Sequence, residues 1–218
     1  MEITYSIILV TVAVSIFCFN SEEYFNRLKF NAFDVKHGNE WYRFFTYGFL
    51  HANWVHLFMN MLVLYFFGGI VEKMFRVFFS TKYILYYILL YMGGLLLSII
   101  PAFGKHKNDV FYNAVGASGA IAAVIFASIL MNPDSKISLM FIPIGIPAPL
   151  FGILYLGYEF YMSRKAKDNI GHDAHFWGAL FGVLFTIILC LFAITEIRAH
   201  TRMPNPLHHF LQWVGIIP

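Results

Sequence analysis

Between Val110 and Met131, and again between Ala174 and Thr195, the chain carries no Asp, Glu, Lys or Arg. A helix needs about 20 mostly apolar residues to cross the hydrocarbon core of a bilayer, and within that core the backbone must satisfy its own hydrogen bonds. These two runs therefore dictate membrane helices. Four more join them: Ile3 to Phe19, Trp54 to Val71, Tyr83 to Phe103, and a proline-interrupted stretch from Ile137 to Tyr158. Charged residues bound the runs. The expected fold class is all-α, a polytopic membrane protein built as a six-transmembrane-helix bundle. Composition agrees, since 59% of the 218 residues are hydrophobic and 12% charged, against roughly 25% charged in an ordinary soluble domain.

The remaining segments narrow the class. Ile3 to Phe19 follows only Glu2, whereas a secretory signal opens on positive charge, so this run is expected to be a retained helix. Cys18 and Cys190 fall inside apolar runs and are expected to behave as small hydrophobes, with no disulfide and no metal. The net charge of +3 is spread over many loops, which argues against a nucleic-acid surface. Pro143, Pro147 and Pro149 disfavour helix in the residues before them, so the fifth helix is expected to begin near Pro149. No internal repeat is visible, which counts against an inverted-repeat transporter. The region from about residue 20 to 50 is too polar to span but rich in aromatics, and suits the membrane interface. The membrane domain is expected to cover residues 1–197, with residues 198–218 as an interfacial C-terminal tail.

Alternating spans give the second, fourth and sixth helices one direction, so their amino-terminal ends share a membrane face. The unusual polar residues gather near those ends: His51, His56 and Asn60 at the second, Ser118 at the fourth, His175 at the sixth. Ser118 lies nine positions past Asp109, no more than roughly 14 Å below the charged boundary at 1.5 Å per helical residue. His56 and Asn60, four apart, share a helical face, while His51 points elsewhere. Gly119, Ala123 and Ala127 recur every four residues, as do Gly178 and Gly182 on the face of His175. Small residues at that spacing let membrane helices approach closely, which would bring Ser118 to His175.

A serine hydroxyl becomes a useful nucleophile when a neighbouring neutral histidine takes its proton. The tetrahedral intermediate of amide hydrolysis needs donors aimed at its oxyanion, and His56, Asn60 and the Ser118 N–H are the candidates. A fourth helix starting close to Gly116 would add its amino-terminal dipole. Asp173, two residues before His175, would point away on a helix, and no other buried acid presents itself, so the expectation is a dyad. Singly, each motif has a plainer explanation, because small residues and interhelical hydrogen bonds serve packing wherever membrane helices meet. Packing alone does not explain three polar clusters at matching depth on three parallel helices.

Four segments together resemble the rhomboid family of intramembrane serine proteases. His51-Ala-Asn-Trp-Val-His56-Leu-Phe-Met-Asn60 is similar to the family's H-x4-H-x3-N, Gly116-Ala-Ser118-Gly119 to its G-x-S-G, and Ala174-His175-Phe-Trp-Gly178-Ala-Leu-Phe-Gly182 to its A-H-x2-G-x3-G. Phe67-Gly68-Gly69-Ile-Val-Glu72 resembles the end of its second helix. The resemblance implies Ser118 as nucleophile, His175 as general base, and His56, Asn60 and the Ser118 amide as oxyanion hole. It implies structural roles for His51, Gly116, Gly119, Gly178, Gly182 and Arg43, and for Glu72 on the opposite membrane face. It further implies a membrane-embedded first loop, a fifth helix beside the entry route of a substrate helix, and a cap from Arg164 to His172. Partners would be transmembrane protein substrates and the lipid bilayer, with no cofactor, and the expected location is the bacterial cytoplasmic (inner) membrane.

Two departures from the family pattern bear on the site. The first loop reads Glu40-Trp41-Tyr42-Arg43 where the family has an adjacent tryptophan and arginine. Ala122 stands four residues after Ser118, where many relatives carry an aromatic stacked on the histidine. That leaves His175 to be oriented by Trp177 or Phe176, or held less firmly. In the family's orientation, nine of the 15 Lys and Arg residues fall in outside loops, so the positive-inside tendency does not support it. Two other readings remain: a catalytically silent rhomboid-like protein that binds membrane clients, and metal or proton transport through His51, His56, His172 and His175. Transport would commonly need a carboxylate within the spans, and the sequence offers none there.

Overall fold

The computed structural model describes residues 1–139, 142–165, 170–192 and 205–217, and within them the chain is mostly helical. Helix α1 (Glu2–Phe19) is followed by a loop region holding α2 (Glu22–Leu28), strand β1 (Phe30–Asn31), α3 (Ala32–His37), α4 (Arg43–Thr46) and a 3-10 turn, Tyr47–Phe49. Then come α5 (Trp54–Val63), a π-helical turn (Leu64–Gly68), α6 (Gly69–Phe79) and α7 (Tyr83–His106). Strand β2 (Asn113–Ala114) precedes α8 (Ser118–Met131), the hairpin β3 (Lys136–Leu139) and β4 (Ile142–Pro147), α9 (Ala148–Lys165), α10 (His172–Phe192) and α11 (Pro206–Trp213).

Among the described residues, three helical stretches are long and apolar enough to cross a membrane: Glu2–Phe19, Trp54–His106 and His172–Phe192. The middle one, 53 residues long, would measure roughly 80 Å if straight, far beyond a hydrocarbon core of about 30 Å. It folds back instead. Ser80 takes a left-handed φ of 47°, and α6 and α7 then pack together through Phe79 on Tyr86 (5.3 Å between ring centroids) and Phe75 on Tyr87 (6.4 Å).

Helix α8 is the hub. Every residue from Gly119 to Met131 is buried, and α5, α6, α7, α9, α10 and α11 all contact it. Its 14 residues rise only about 21 Å, less than the core is thick, so one end lies inside the membrane when the other reaches a face. Large apolar side chains point outward around it, among them Leu9, Val55, Phe58, Ile153 and Phe192, as expected of a surface facing lipid.

The fifth apolar run divides at its prolines. Its first half forms the β3–β4 hairpin, where a helix could not run through Pro143 and Pro147. Helix α9 begins at Ala148 with Pro149 in its first turn, where proline costs no hydrogen bond, and it continues past Tyr158 to Lys165. The fourth run also starts late as a helix, since residues 110–117 form β2 and a turn. In the tail, α11 packs on α8 and α10, Asn205 donating to the Cys190 carbonyl (3.0 Å) and His209 lying 3.1 Å from Asp134. The expected boundary at residue 197 falls outside the described residues, as do Lys167 and Asp168 of the expected cap.

Candidate active site

Ser118 is the first residue of α8, so its backbone N–H is one of the unpaired donors at a helix amino terminus, where the dipole favours negative charge. The turn before it requires glycine: Gly116 has a φ of 121°, and a Cβ there would meet the His56 ring at 2.8 Å. The Gly116 N–H donates to the Tyr47 carbonyl (3.0 Å). Just upstream, β2 pairs antiparallel with β1 of the first loop, Phe30 opposite Ala114. The first loop thus fixes the approach to Ser118.

Helices α8 and α10 meet backbone to backbone. A Cβ on Gly178 would strike the backbone of Gly119, and one on Gly182 the backbone of Ala123. Gly119 in turn leaves room for Ser98 of α7 and lies near the Ala174 carbonyl. His175 is thereby carried to the wall of a cavity of about 910 Å³ whose lining includes His56, Asn60, Ser118, His172 and His175, with Lys105 and Asp173 among its more exposed members.

Helix α5 supplies another part of the wall through His56 and Asn60. Asn53 caps it, its side-chain oxygen accepting the His56 N–H (2.8 Å). The Asn60 amide donates one N–H to the His56 carbonyl (2.9 Å), which fixes the side chain while a second N–H remains on the same nitrogen. His51 stands behind His56, the rings 4.9 Å apart and edge to face. It is fully buried and lies 2.9 Å from the Ser15 hydroxyl through Nδ1. Because that hydroxyl donates to the Phe49 carbonyl (2.7 Å), it accepts from His51. Burial pushes the His51 pKa down to about 3, with the His56 ring adding to the effect, so the ring is neutral at physiological pH.

Two further residues organise the frame. Arg43, buried in the first loop, donates to the carbonyls of Asn26 (2.8 Å) and Lys29 (2.6 Å) and pairs with Glu40 and Asp34. The Tyr42 hydroxyl beside it lies 2.9 Å from the Glu40 carboxylate and 3.2 Å from the Arg27 carbonyl, two acceptors for its one proton. Glu72, 1% exposed, accepts the backbone N–H of Thr4 (3.0 Å) and its hydroxyl (2.7 Å). Its carboxylate therefore caps the amino terminus of α1.

The sequence reading missed Glu159. One oxygen of this carboxylate, 4% exposed on α9, lies 3.1 Å from His175 Nδ1 and the other 2.6 Å from His172 Nδ1. A carboxylate is thus present where none was expected. Asp173, by contrast, faces Lys105 at 4.0 Å. Phe176 pairs with Phe160 and Trp177, while Ala122 is buried in α8. A signal was available: Glu159 is the one acidic residue between Asp134 and Asp168 and is flanked by apolar and aromatic residues on both sides, the setting in which an intramembrane acid calls for a partner. The donor atoms of Glu159, His172 and His175 lie within 4.8 Å of one another, so this trio could also hold a metal ion.

Fold and site together define a polytopic helical membrane protein with a serine and a histidine lining one cavity. The Rhomboid domain matches residues 38–192, and the chain belongs to the rhomboid family. It is 33% identical over 171 residues to Rhomboid-like protein 11, chloroplastic, of Arabidopsis thaliana, covering 70% of this chain and 54% of that protein. It is 30% identical over 145 residues to RHOMBOID-like protein 12, mitochondrial, of the same plant, covering 62% and 42%. Presenilin-associated rhomboid-like protein A, mitochondrial, of Danio rerio is 27% identical over 148 residues, covering 63% and 34%. The chain spans about half or less of the length of these relatives.

Proposed function

We propose that this protein is an intramembrane serine endopeptidase that cleaves transmembrane segments of other membrane proteins. The observation that carries the reading is the shared cavity: Ser118 at the amino terminus of α8 and His175 on α10 line one space, across a contact between the two helix backbones. In this mechanism His175 takes the proton of the Ser118 hydroxyl as Oγ attacks the scissile carbonyl, then delivers it to the leaving amine. His56, the second Asn60 N–H and the Ser118 N–H receive the oxyanion. On this reading the chemistry lies inside a six-helix bundle, with α5–α6 and α7 as separate crossings, α9 as another, and α8 as a helix that stops short of one membrane face. The short α8 supports a recess, and the cavity lining includes the charged Lys105 and Asp173, which suit contact with water.

Substrates on this reading are single-span proteins with a helix-destabilised, small-residue cleavage site, entering beside α9. Residues 1–197 form the membrane domain and 198–218 an appended tail, and the bacterial cytoplasmic membrane is the proposed location. The test is labelling of the purified protein by a fluorophosphonate probe, with Ser118→Ala and His175→Ala beside it. Labelling of the wild type that vanishes in both variants supports the assignment. An unlabelled but folded wild type, confirmed with a second probe chemistry, favours the catalytically silent client-binding protein.

A further inference from the structure

We infer that Glu159 is a positioning residue for His175, making the site a serine–histidine–glutamate triad instead of a dyad. This inference rests on the proposed hydrolytic role of Ser118 and His175. An ionised carboxylate only accepts hydrogen bonds, so Glu159 Oε1 at 3.1 Å from His175 Nδ1 holds the proton on Nδ1. The lone pair of a neutral ring is then on Nε2, the nitrogen left to act as base towards a hydroxyl. When His175 takes the serine proton the ring becomes cationic, and the buried carboxylate stabilises that charge without itself accepting a proton.

Two features make Glu159 suited to this role. Its second oxygen is held by His172 at 2.6 Å, and His172 lies one helical turn before His175 on α10. One carboxylate thus bridges two rings on the same helix face, which fixes its rotamer and that of His175 together. As it stands the trio is hydrogen-bonded: Glu159 and His172 are 2.6 Å apart, and a tetrahedral zinc, whose ligands keep about 3.3 Å between them, would have to move them apart.

The experiment measures fluorophosphonate labelling of the full-length purified protein as separate binding and inactivation constants, for the wild type, Ser118→Ala and Glu159→Gln. Glu159→Gln is expected to slow inactivation roughly 10²- to 10⁴-fold, the scale of losing the carboxylate partner of a catalytic histidine, with probe binding within about threefold. Histidine ¹⁵N NMR of the wild type provides the measurement independent of the variant's folding: His175 is expected as the Nδ1–H tautomer. A wild type that does not label defeats the hydrolytic reading, and the NMR still decides the Glu159–His175 bond. Wild-type labelling rates in folded Glu159→Gln, an Nε2–H tautomer at His175, or loss of wild-type labelling on metal chelation would each overturn the inference.

Discussion

Gly178 has a methyl's worth of space on no side that faces α8, because the backbone of Gly119 lies there. A neighbouring backbone cannot swing aside as a side chain does, so Gly178→Ala is expected to cost about 3 kcal/mol, the upper end of overpacking penalties. Thermal unfolding in detergent measures it, and an unchanged midpoint would refute the close approach. At Asn60 the expectation is kinetic. Asn60→Ala should lower kcat by roughly 10²- to 10³-fold, the usual loss for one oxyanion donor, with little change in KM for a transmembrane peptide substrate. His51 gives a pH dependence. Its folded pKa of about 3 lies below the unfolded value near 6.5, so the unfolded chain binds the proton more readily. The stability from neutral His51 is present above pH 6.5 and declines as pH falls towards 3. Unfolding midpoints at several pH values should show a shallower acid slope in His51→Gln than in the wild type.

At the scale of elements, the apolar runs are legible because a membrane helix announces itself by length and lack of charge. The proline positions place the start of α9 within a residue or two, since proline is tolerated in a first turn and excluded from a helix interior. The hairpin of β3 and β4 is hidden in the same run, although its Ile-rich sequence suits strand. The first loop is legible as aromatic, but its grip on the site is not. Phe30 pairing with Ala114 and the Tyr47 carbonyl on the Gly116 N–H join segments more than 60 positions apart, and no local pattern encodes that register. Arg43→Lys tests this support. An ammonium is a point charge that cannot serve two carbonyls and two carboxylates as a planar guanidinium does. Hydrogen exchange across residues 26–47 should quicken, and Ser118 labelling should slow with it.

For the whole molecule, a hub helix too short to cross the bilayer would reconcile the proposed hydrolytic site with a membrane. On that proposal water must reach Ser118, and the lining of the cavity beside it includes Lys105 and Asp173. Ser118→Cys should therefore react in the native state with a membrane-impermeant maleimide. The buried Cys18 and Cys190 should stay unmodified, and protection of the introduced thiol until unfolding would argue that the cavity is sealed. The sequence by itself determined the membrane setting, the spacing of small residues on two helices, and the presence of a serine, histidines and an asparagine near the starts of three apolar runs. These follow from hydrophobic length and helical period, which are local properties of a chain. Only the tertiary structure decided that Glu159 of α9 meets His175 of α10, and that the first loop anchors the turn before Ser118. Period tells which face of a helix a residue occupies, whereas its partner is set by how whole helices pack, and that register is written across the chain in no single segment.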